Sequence, residues 1–239
     1  MATSSAARLA GRVAVVTGAS RGLGAAVARR LGAEGAHVVL VARTVGGLEE
    51  TDDAVRAAGG SATLVPLDLK EGERIDQLGA ALYERFGKLD ILVSAAAALG
   101  TLTPVGHIRP EHWNDTIAVN LTASWRLIRS LDPLLRMADA GRAVFVTCAE
   151  ASGTEAYWAG YAVSKGALET LVRLYAAELG TTRVKANLVD PGIMRTGLRA
   201  AAFPGEDPAG VPDPDTAAAR ILPYLLPECA VSGTRATLG

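Results

Sequence analysis

Tyr161 and Lys165 stand four residues apart in Tyr161-Ala162-Val163-Ser164-Lys165, the spacing that puts two side chains on one face of a helix. A phenol ordinarily keeps its proton up to about pH 10, too high for easy acid–base work near neutrality. An ammonium one turn away favours the phenolate, and a second bound positive charge would favour it further. Such a pair can pass a proton to or from an oxygen. The same spacing also arises by chance, as a surface tyrosine beside a solvated lysine. Its weight therefore depends on what else the chain brings to it.

The strongest companion lies near the N-terminus, in Val13-Ala14-Val15-Val16-Thr17-Gly18-Ala19-Ser20-Arg21-Gly22-Leu23-Gly24. A β-branched apolar run ends at a glycine turn, and an alanine- and leucine-rich segment of helical character continues to about Glu34. Strand, turn and helix in that order aim backbone N–H groups and a positive helix end at a phosphate. Gly18, Gly22 and Gly24 remove Cβ atoms where backbone must bend sharply or approach a ligand. The residues offered to a nucleotide are Gly18, Ser20, Arg21, Gly22, Leu23 and Gly24. An ordinary strand-to-helix turn with incidental glycines is the competing reading.

A second buried strand, His37 to Ala42, follows, and its end carries information. In dinucleotide folds an acidic residue there binds a ribose 2′-hydroxyl, whereas a nearby arginine accommodates a 2′-phosphate. Here Ala42 is followed by Arg43, with Arg21 in the glycine turn. Two guanidiniums and no carboxylate suit a phosphate, so NADP(H) is expected over NAD(H), unless Arg43 is only a solvated surface charge.

The alternation continues along the chain. A helix over Val45 to Ala58 closes on Gly59-Gly60, a third strand runs from Ala62 to Leu67, and Asp68-Leu69 ends it. Asp68 could cap the next helix, Glu71 to Phe86. Leu89 to Val93 is a fourth strand and runs into Ser94-Ala95-Ala96-Ala97. Pro110 to Met137 holds a long helix containing Trp113, Trp125 and, among apolar neighbours, Asn120, where asparagine gains a helix little. A fifth strand, Gly141 to Thr147, leads through a small-residue loop, Cys148 to Gly160, into the helix of Tyr161 and Lys165. Arg183 to Val189 is a sixth strand, ending in Asp190-Pro191-Gly192. A Pro-Gly turn there lies at the strand end where open α/β sheets bind ligands. Residues 193–214 show little periodicity, as lids and binding loops do. A last helix, Pro214 to Leu226, and a short strand, Gly233 to Leu238, complete the chain. The alternation predicts a single doubly wound α/β domain over 1–239, with about seven parallel strands and helices on both faces.

Thr-Gly-x-x-x-Gly-x-Gly with Tyr-x-x-x-Lys and the Pro-Gly turn resembles the short-chain dehydrogenase/reductases, and the resemblance runs over nearly the whole chain. It implies a Rossmann-type fold and hydride transfer between a nicotinamide and a carbonyl or alcohol substrate. By the same resemblance Tyr161 donates the proton, Lys165 lowers its pKa and binds ribose, and Asn120 holds a relay water. Asn120 is otherwise a core amide satisfied by backbone. Asp68 would accept from the adenine amino group beside Leu69, while Pro191, Gly192 and Thr196 would contact the nicotinamide half. The family usually carries Asn-Asn-Ala-Gly where this chain has Ser94-Ala95-Ala96-Ala97, so a less hydrogen-bonded wall is expected around Ala95 and Ala96. The family's serine, thirteen positions before the tyrosine, is here Cys148. A thiol is a weak donor, which leaves three readings: Cys148 substitutes weakly at the carbonyl, Ser152 stands in, or activity is reduced or absent. Thr147 should face the other way if it still belongs to the strand. In Ala202-Phe203-Pro204-Gly205-Glu206-Asp207-Pro208, within the expected lid, the chain resembles a bacterial branch of the family.

Composition bounds the alternatives. The 239 residues are 49% hydrophobic, with 24 basic against 25 acidic side chains and a net charge of −1. That balance argues against nucleic acid as a partner. No apolar run reaches the roughly 18 residues of a membrane span, and Met1 to Arg8 lacks the layout of a signal peptide. Cys148 and Cys229 have no metal or disulfide spacing and fit a reducing compartment. A cytoplasmic protein without a metal is expected, and the resemblance implies a homodimer or homotetramer. A nucleotide-binding relative without efficient turnover, serving as a sensing or structural subunit, is the main alternative. A methyltransferase or other Rossmann-like fold is disfavoured by the Tyr161–Lys165 pair.

Overall fold

The computed structural model describes residues 7–239, so most of the Met1 to Arg8 segment lies outside the described residues. Seven strands form one sheet in the order β3-β2-β1-β4-β5-β6-β7, and every neighbouring pair is parallel. They are β1 Val13–Thr17, β2 His37–Ala42, β3 Ser61–Pro66, β4 Ile91–Ser94, β5 Arg142–Val146, β6 Lys185–Asp190 and β7 Arg235–Thr237. The helices are α1 Gly22–Ala33, α2 Val45–Ala57, α3 Gly72–Phe86, α4 Pro110–Ile117, α5 Ala123–Met137, α6 Ala159–Leu179, α7 Gly197–Ala202 and α8 Pro214–Ile221.

The central strands are apolar at nearly every position because both faces are covered. Along β1, Ala14 and Val16 join a core with α1, α2 and α8, whereas Val13 and Val15 join a second core with α3, α5 and α6. The alternation follows from the two-residue period of a strand. At the N-terminal edge, buried Asp90 accepts from the Val13 N–H and from Arg12 and Lys88, each at 2.9 Å, tying β1 to β4. The opposite edge is left for the cleft.

Three elements differ from the sequence reading. The long helix from Pro110 to Met137 carries a π turn at Ala118–Thr122 between α4 and α5, and Asn120 sits in it. One extra residue in a turn hardly disturbs an apolar pattern, so periodicity does not reveal it. The aperiodic stretch 193–214 holds α7 and a 3-10 turn at Pro208–Gly210. Six residues are too few for a helical period to register. The last helix stops at Ile221 and tightens into a 3-10 turn, Leu222–Tyr224, as Pro223 cannot donate to a continuing helix.

Candidate active site

Strand order reverses between β1 and β4, so the chain leaves their C-terminal ends in opposite directions and a crevice opens there. It forms a cleft of about 1200 Å3. The glycine turn forms one wall because its backbone can approach its neighbours. Gly18 has φ +68°, and a Cβ there would lie 2.8 Å from the Cα of Ala96. A Cβ on Gly24 would lie 2.3 Å from the Gly18 carbonyl oxygen, so only glycine lets α1 begin so close to β1. Arg21, the residue before α1, supplies no side-chain cap. The first N–H groups of the helix therefore face the cleft without a side-chain acceptor, as phosphate sites require. This cradle fits a dinucleotide. The side chains of Arg21 and Arg43 are exposed on the same wall as Ser20, Gly22 and Leu23.

Asp68 and Leu69 also line the cleft. Asp68 does not cap α3. Its carboxylate accepts from the Lys70 N–H at 3.0 Å, a turn just before the helix, whose preceding residue is Glu71.

The wall at Ser94-Ala95-Ala96-Ala97 is held from outside the motif. The Thr17 hydroxyl accepts from the N–H groups of Ala95 (3.1 Å) and Ala96 (3.3 Å). Asn120 accepts from the Ala98 N–H (2.8 Å) and donates to the Ala98 carbonyl (2.9 Å) and the Ser164 hydroxyl (2.9 Å). The expected loss of hydrogen bonding is thus made up for the backbone by Thr17 and Asn120. Asn120 lies behind the cleft, not on its wall, and its amide is spent on these contacts. A relay water would have to use its main-chain carbonyl, which accepts from Ser124 at 3.3 Å.

Tyr161, Lys165 and Cys148 meet at the inner end. The Lys165 ammonium donates to the Val146 carbonyl at 2.8 Å and lies 5.8 Å from the centre of the Tyr161 ring. Burial pushes Lys165 down to about 8, with nearby Cys148 opposing. Burial pushes Tyr161 well above its ordinary value, and Cys148, Glu150 and Asp190 add to the effect. This reverses the expectation from spacing alone: the surroundings keep the phenol protonated, because the cost of burying a phenolate dominates. The Cys148 thiol, a neighbour of the phenol in the same cleft, is pushed up to about 12, chiefly by burial and against the pull of Lys165. A thiol with that pKa is no nucleophile at neutral pH. Ser152 does not stand in: it is exposed, lies off the cleft and pairs with Thr154 at 3.3 Å. The Thr147 hydroxyl donates to Glu169 at 2.8 Å.

Pro191, Gly192 and Thr196 line the same end. Thr196 caps α7 by accepting from the Arg199 N–H at 3.2 Å, and its methyl would stand 3.3 Å from a Cβ on Gly22. The start of α7 thereby meets the glycine turn. Sequence reasoning missed the aromatic wall. Trp158 stacks edge-on to Tyr161 and against Phe203, both at 5.9 Å between ring centres. Arg199 covers Phe203 at 3.7 Å and pairs with Glu206 through two bonds of 2.7 Å. Thr196 and Arg199 at cap spacing, and Trp158 three residues before Tyr161, were the available signals. Among the described residues no cluster of His, Cys, Asp or Glu is placed to hold a metal, and no helix is long and apolar enough to cross a membrane.

Residues 12–207 match the family model described as short chain dehydrogenase. The uncharacterised oxidoreductase YciK of Escherichia coli K12 is 33% identical over 218 residues, 90% of this chain and 84% of that protein. A structure described as a short-chain dehydrogenase of Shigella flexneri 2a, complexed with NADP, superposes with a TM-score of 0.93 at 30% identity, covering 98% of this chain and 99% of that one. Another from Escherichia coli CFT073, complexed with NADPH, gives 0.87 at 31% identity, over 96% and 97% of the two chains.

Thr17→Val keeps the shape of the side chain and removes the acceptor of two backbone N–H groups. It should destabilise the fold by about 1–3 kcal/mol in urea titrations and weaken nucleotide binding. Unchanged stability and binding would show that the Ala95–Ala96 wall does not need this hydroxyl.

Proposed function

Because the chain belongs to the short-chain dehydrogenase family, and similar solved structures are complexed with NADP or NADPH, we propose that it prefers NADP(H) to NAD(H) and interconverts a carbonyl compound and its alcohol at Tyr161. The observation that carries the reading is the convergence of Tyr161, Lys165 and Cys148 at one end of a cleft whose other wall is the glycine turn. When bound, the cofactor supplies a hydride to the carbonyl carbon or takes it back.

The chain's own residues do the rest. Gly18, Ser20, Gly22, Leu23 and Gly24 present backbone to the pyrophosphate, while Arg21 and Arg43 hold the 2′-phosphate. Asp68 and Leu69 receive the adenine, and Ala95 and Ala96 pass along the adenosine side. Pro191, Gly192 and Thr196 border the nicotinamide. Tyr161 hands its proton to the substrate oxygen during reduction, and the burial that raises its pKa keeps that proton available until charge develops on the substrate. Lys165 bonds the ribose and stabilises the phenolate left behind. Cys148 touches the substrate oxygen as a weak donor. Asn120 fixes the Ala98 segment against α6 and offers its main-chain carbonyl to a relay water.

The whole chain serves as one nucleotide-binding domain, and 193–214 is its substrate lid, latched by Arg199 and Glu206. The aromatic wall of Trp158 and Phe203 suits a substrate with a flat apolar body. A homodimer or homotetramer in the cytoplasm completes the proposal. A nucleotide sensor with little turnover is the second reading, favoured specifically by a thiol where an oxyanion donor is wanted.

Three measurements test these assignments. Arg43→Ala should weaken NADPH binding about 10- to 100-fold while NADH changes by less than about threefold; equal losses would remove the 2′-phosphate role. In an NADPH-consumption assay over ketones, quinones and aldehydes, Cys148→Ser should raise kcat by about tenfold or more. Tight NADPH binding with no turnover in either form would favour the sensor. Finally, kcat/KM for reduction should decline as pH rises through about 8, where Lys165 loses its charge. A profile flat to about pH 10 would mean that this charge is not used.

A further inference from the structure

Arg235, on the short edge strand β7, reaches three parts of the site with one side chain. Its Nε donates to Glu169 Oε1 at 2.8 Å. Its Nη2 donates to the main-chain carbonyl of Cys148 at 3.0 Å and to Asp190 Oδ2 at 3.1 Å. Its Nη1 donates to Thr237 at 3.0 Å. Three of these four acceptors sit next to a group that matters. Cys148 carries the thiol that faces the substrate oxygen. Asp190 opens the Pro191-Gly192 turn, and its other oxygen accepts from the Gly192 N–H at 3.1 Å. Glu169 lies one helical turn beyond Lys165 on α6 and also accepts from Thr147 at 2.8 Å and from Arg173 at 2.7 Å.

We propose that Arg235 is a positioning residue for catalysis: its guanidinium holds the end of β5, the end of β6 and α6 in one register, so that Cys148, the Pro191-Gly192 turn and Tyr161 face a common point. The planar fork of arginine is what the job requires. It sends fixed, divergent donors to a carbonyl and two carboxylates at once, whereas a lysine ammonium is a single point charge on a flexible stem. The two carboxylates keep the guanidinium from facing burial unpaired. Burial alone would raise the Glu169 carboxyl, yet Arg235 and Thr147 hold it below the ordinary range. Lys165, bonded to the Val146 carbonyl, grips β5 two residues before Cys148. The strand end is therefore clamped from α6 on one side and from β7 on the other.

A brace that serves only the edge strand would be felt in stability alone. A brace that sets geometry at the reacting atoms would be felt in kcat, because a misplacement of about 1 Å can cost on the order of 10²-fold. The test compares Arg235→Gln and Arg235→Lys with the wild type. It measures NADPH stoichiometry and affinity by fluorescence titration, then kcat and KM at saturating NADPH. Arg235→Gln should bind about one NADPH per chain with affinity within about threefold of wild type, yet lose about 10- to 100-fold in kcat. Arg235→Lys keeps the positive charge and guards against a Gln variant that fails to fold; it should lose about tenfold, since it cannot span Glu169, the Cys148 carbonyl and Asp190 at once. A kcat within about twofold of wild type in either variant that binds NADPH would overturn the proposal. The inference rests on Tyr161 as the proton donor, so Tyr161→Phe is measured alongside. Turnover surviving in Tyr161→Phe would sink that assignment, whereas an inactive Tyr161→Phe with a normal Arg235→Gln would sink the positioning role alone.

Discussion

The reversal of strand order between β1 and β4 governs everything that follows. A parallel sheet with right-handed crossovers covers both faces with helices, so a crevice can open at the strand ends. At the reversal, the connections leaving two adjacent strands diverge, and no segment fills the gap between them. The glycine turn after β1 and the alanine segment after β4 become opposite walls of that gap. Their separation is set by backbone contact, since Gly18 and Ala96 approach more closely than a side chain would allow. The elements away from this point, α3 and α5 among them, act by burying the sheet that presents it.

Polar groups near the gap are satisfied by partners that lie far away in the chain. Thr17 on β1 accepts from Ala95 and Ala96, and Asn120 in the π turn brackets Ala98 and reaches Ser164 on α6. Exposed N–H groups in an apolar wall would cost free energy. These two side chains avoid that cost, and they also join α6, which carries Tyr161 and Lys165, to the wall opposite the glycine turn. The loss of amides from the 94–97 motif therefore leaves the architecture intact.

Burial and charge oppose one another at the reacting end. Water is excluded enough to push the Tyr161 phenol and the Cys148 thiol upward and the Lys165 ammonium downward. All three shifts favour neutral side chains, the signature of desolvation. Such a site holds a proton on the phenol and strengthens any charge brought into it. The thiol stays protonated, so it can offer only a weak hydrogen bond to an oxygen. Arg235, Glu169 and Asp190 lie just behind this desolvated face and pair among themselves.

Much was legible in the residues. Continuous apolar runs of valine, isoleucine and leucine mark strands covered on both faces, and glycines after the first of them mark the close approach. Tyr161 and Lys165 at helical spacing mark the candidate pair that the cleft brings together, because a four-residue offset on one helix is a local property. The direction of the phenol's shift was not local: it depends on how much protein surrounds residue 161, which spacing alone cannot convey. Ser152 was a fair alternative to Cys148 until the fold of its loop turned it outward toward Thr154. The bonds of Asn120 to Ala98 and Ser164, the aromatic contact of Trp158 with Phe203 and the reach of Arg235 across three elements join residues distant in sequence. Short-range pattern carries periodicity and turn chemistry, whereas such meetings exist only once the sheet has set which strand ends lie side by side.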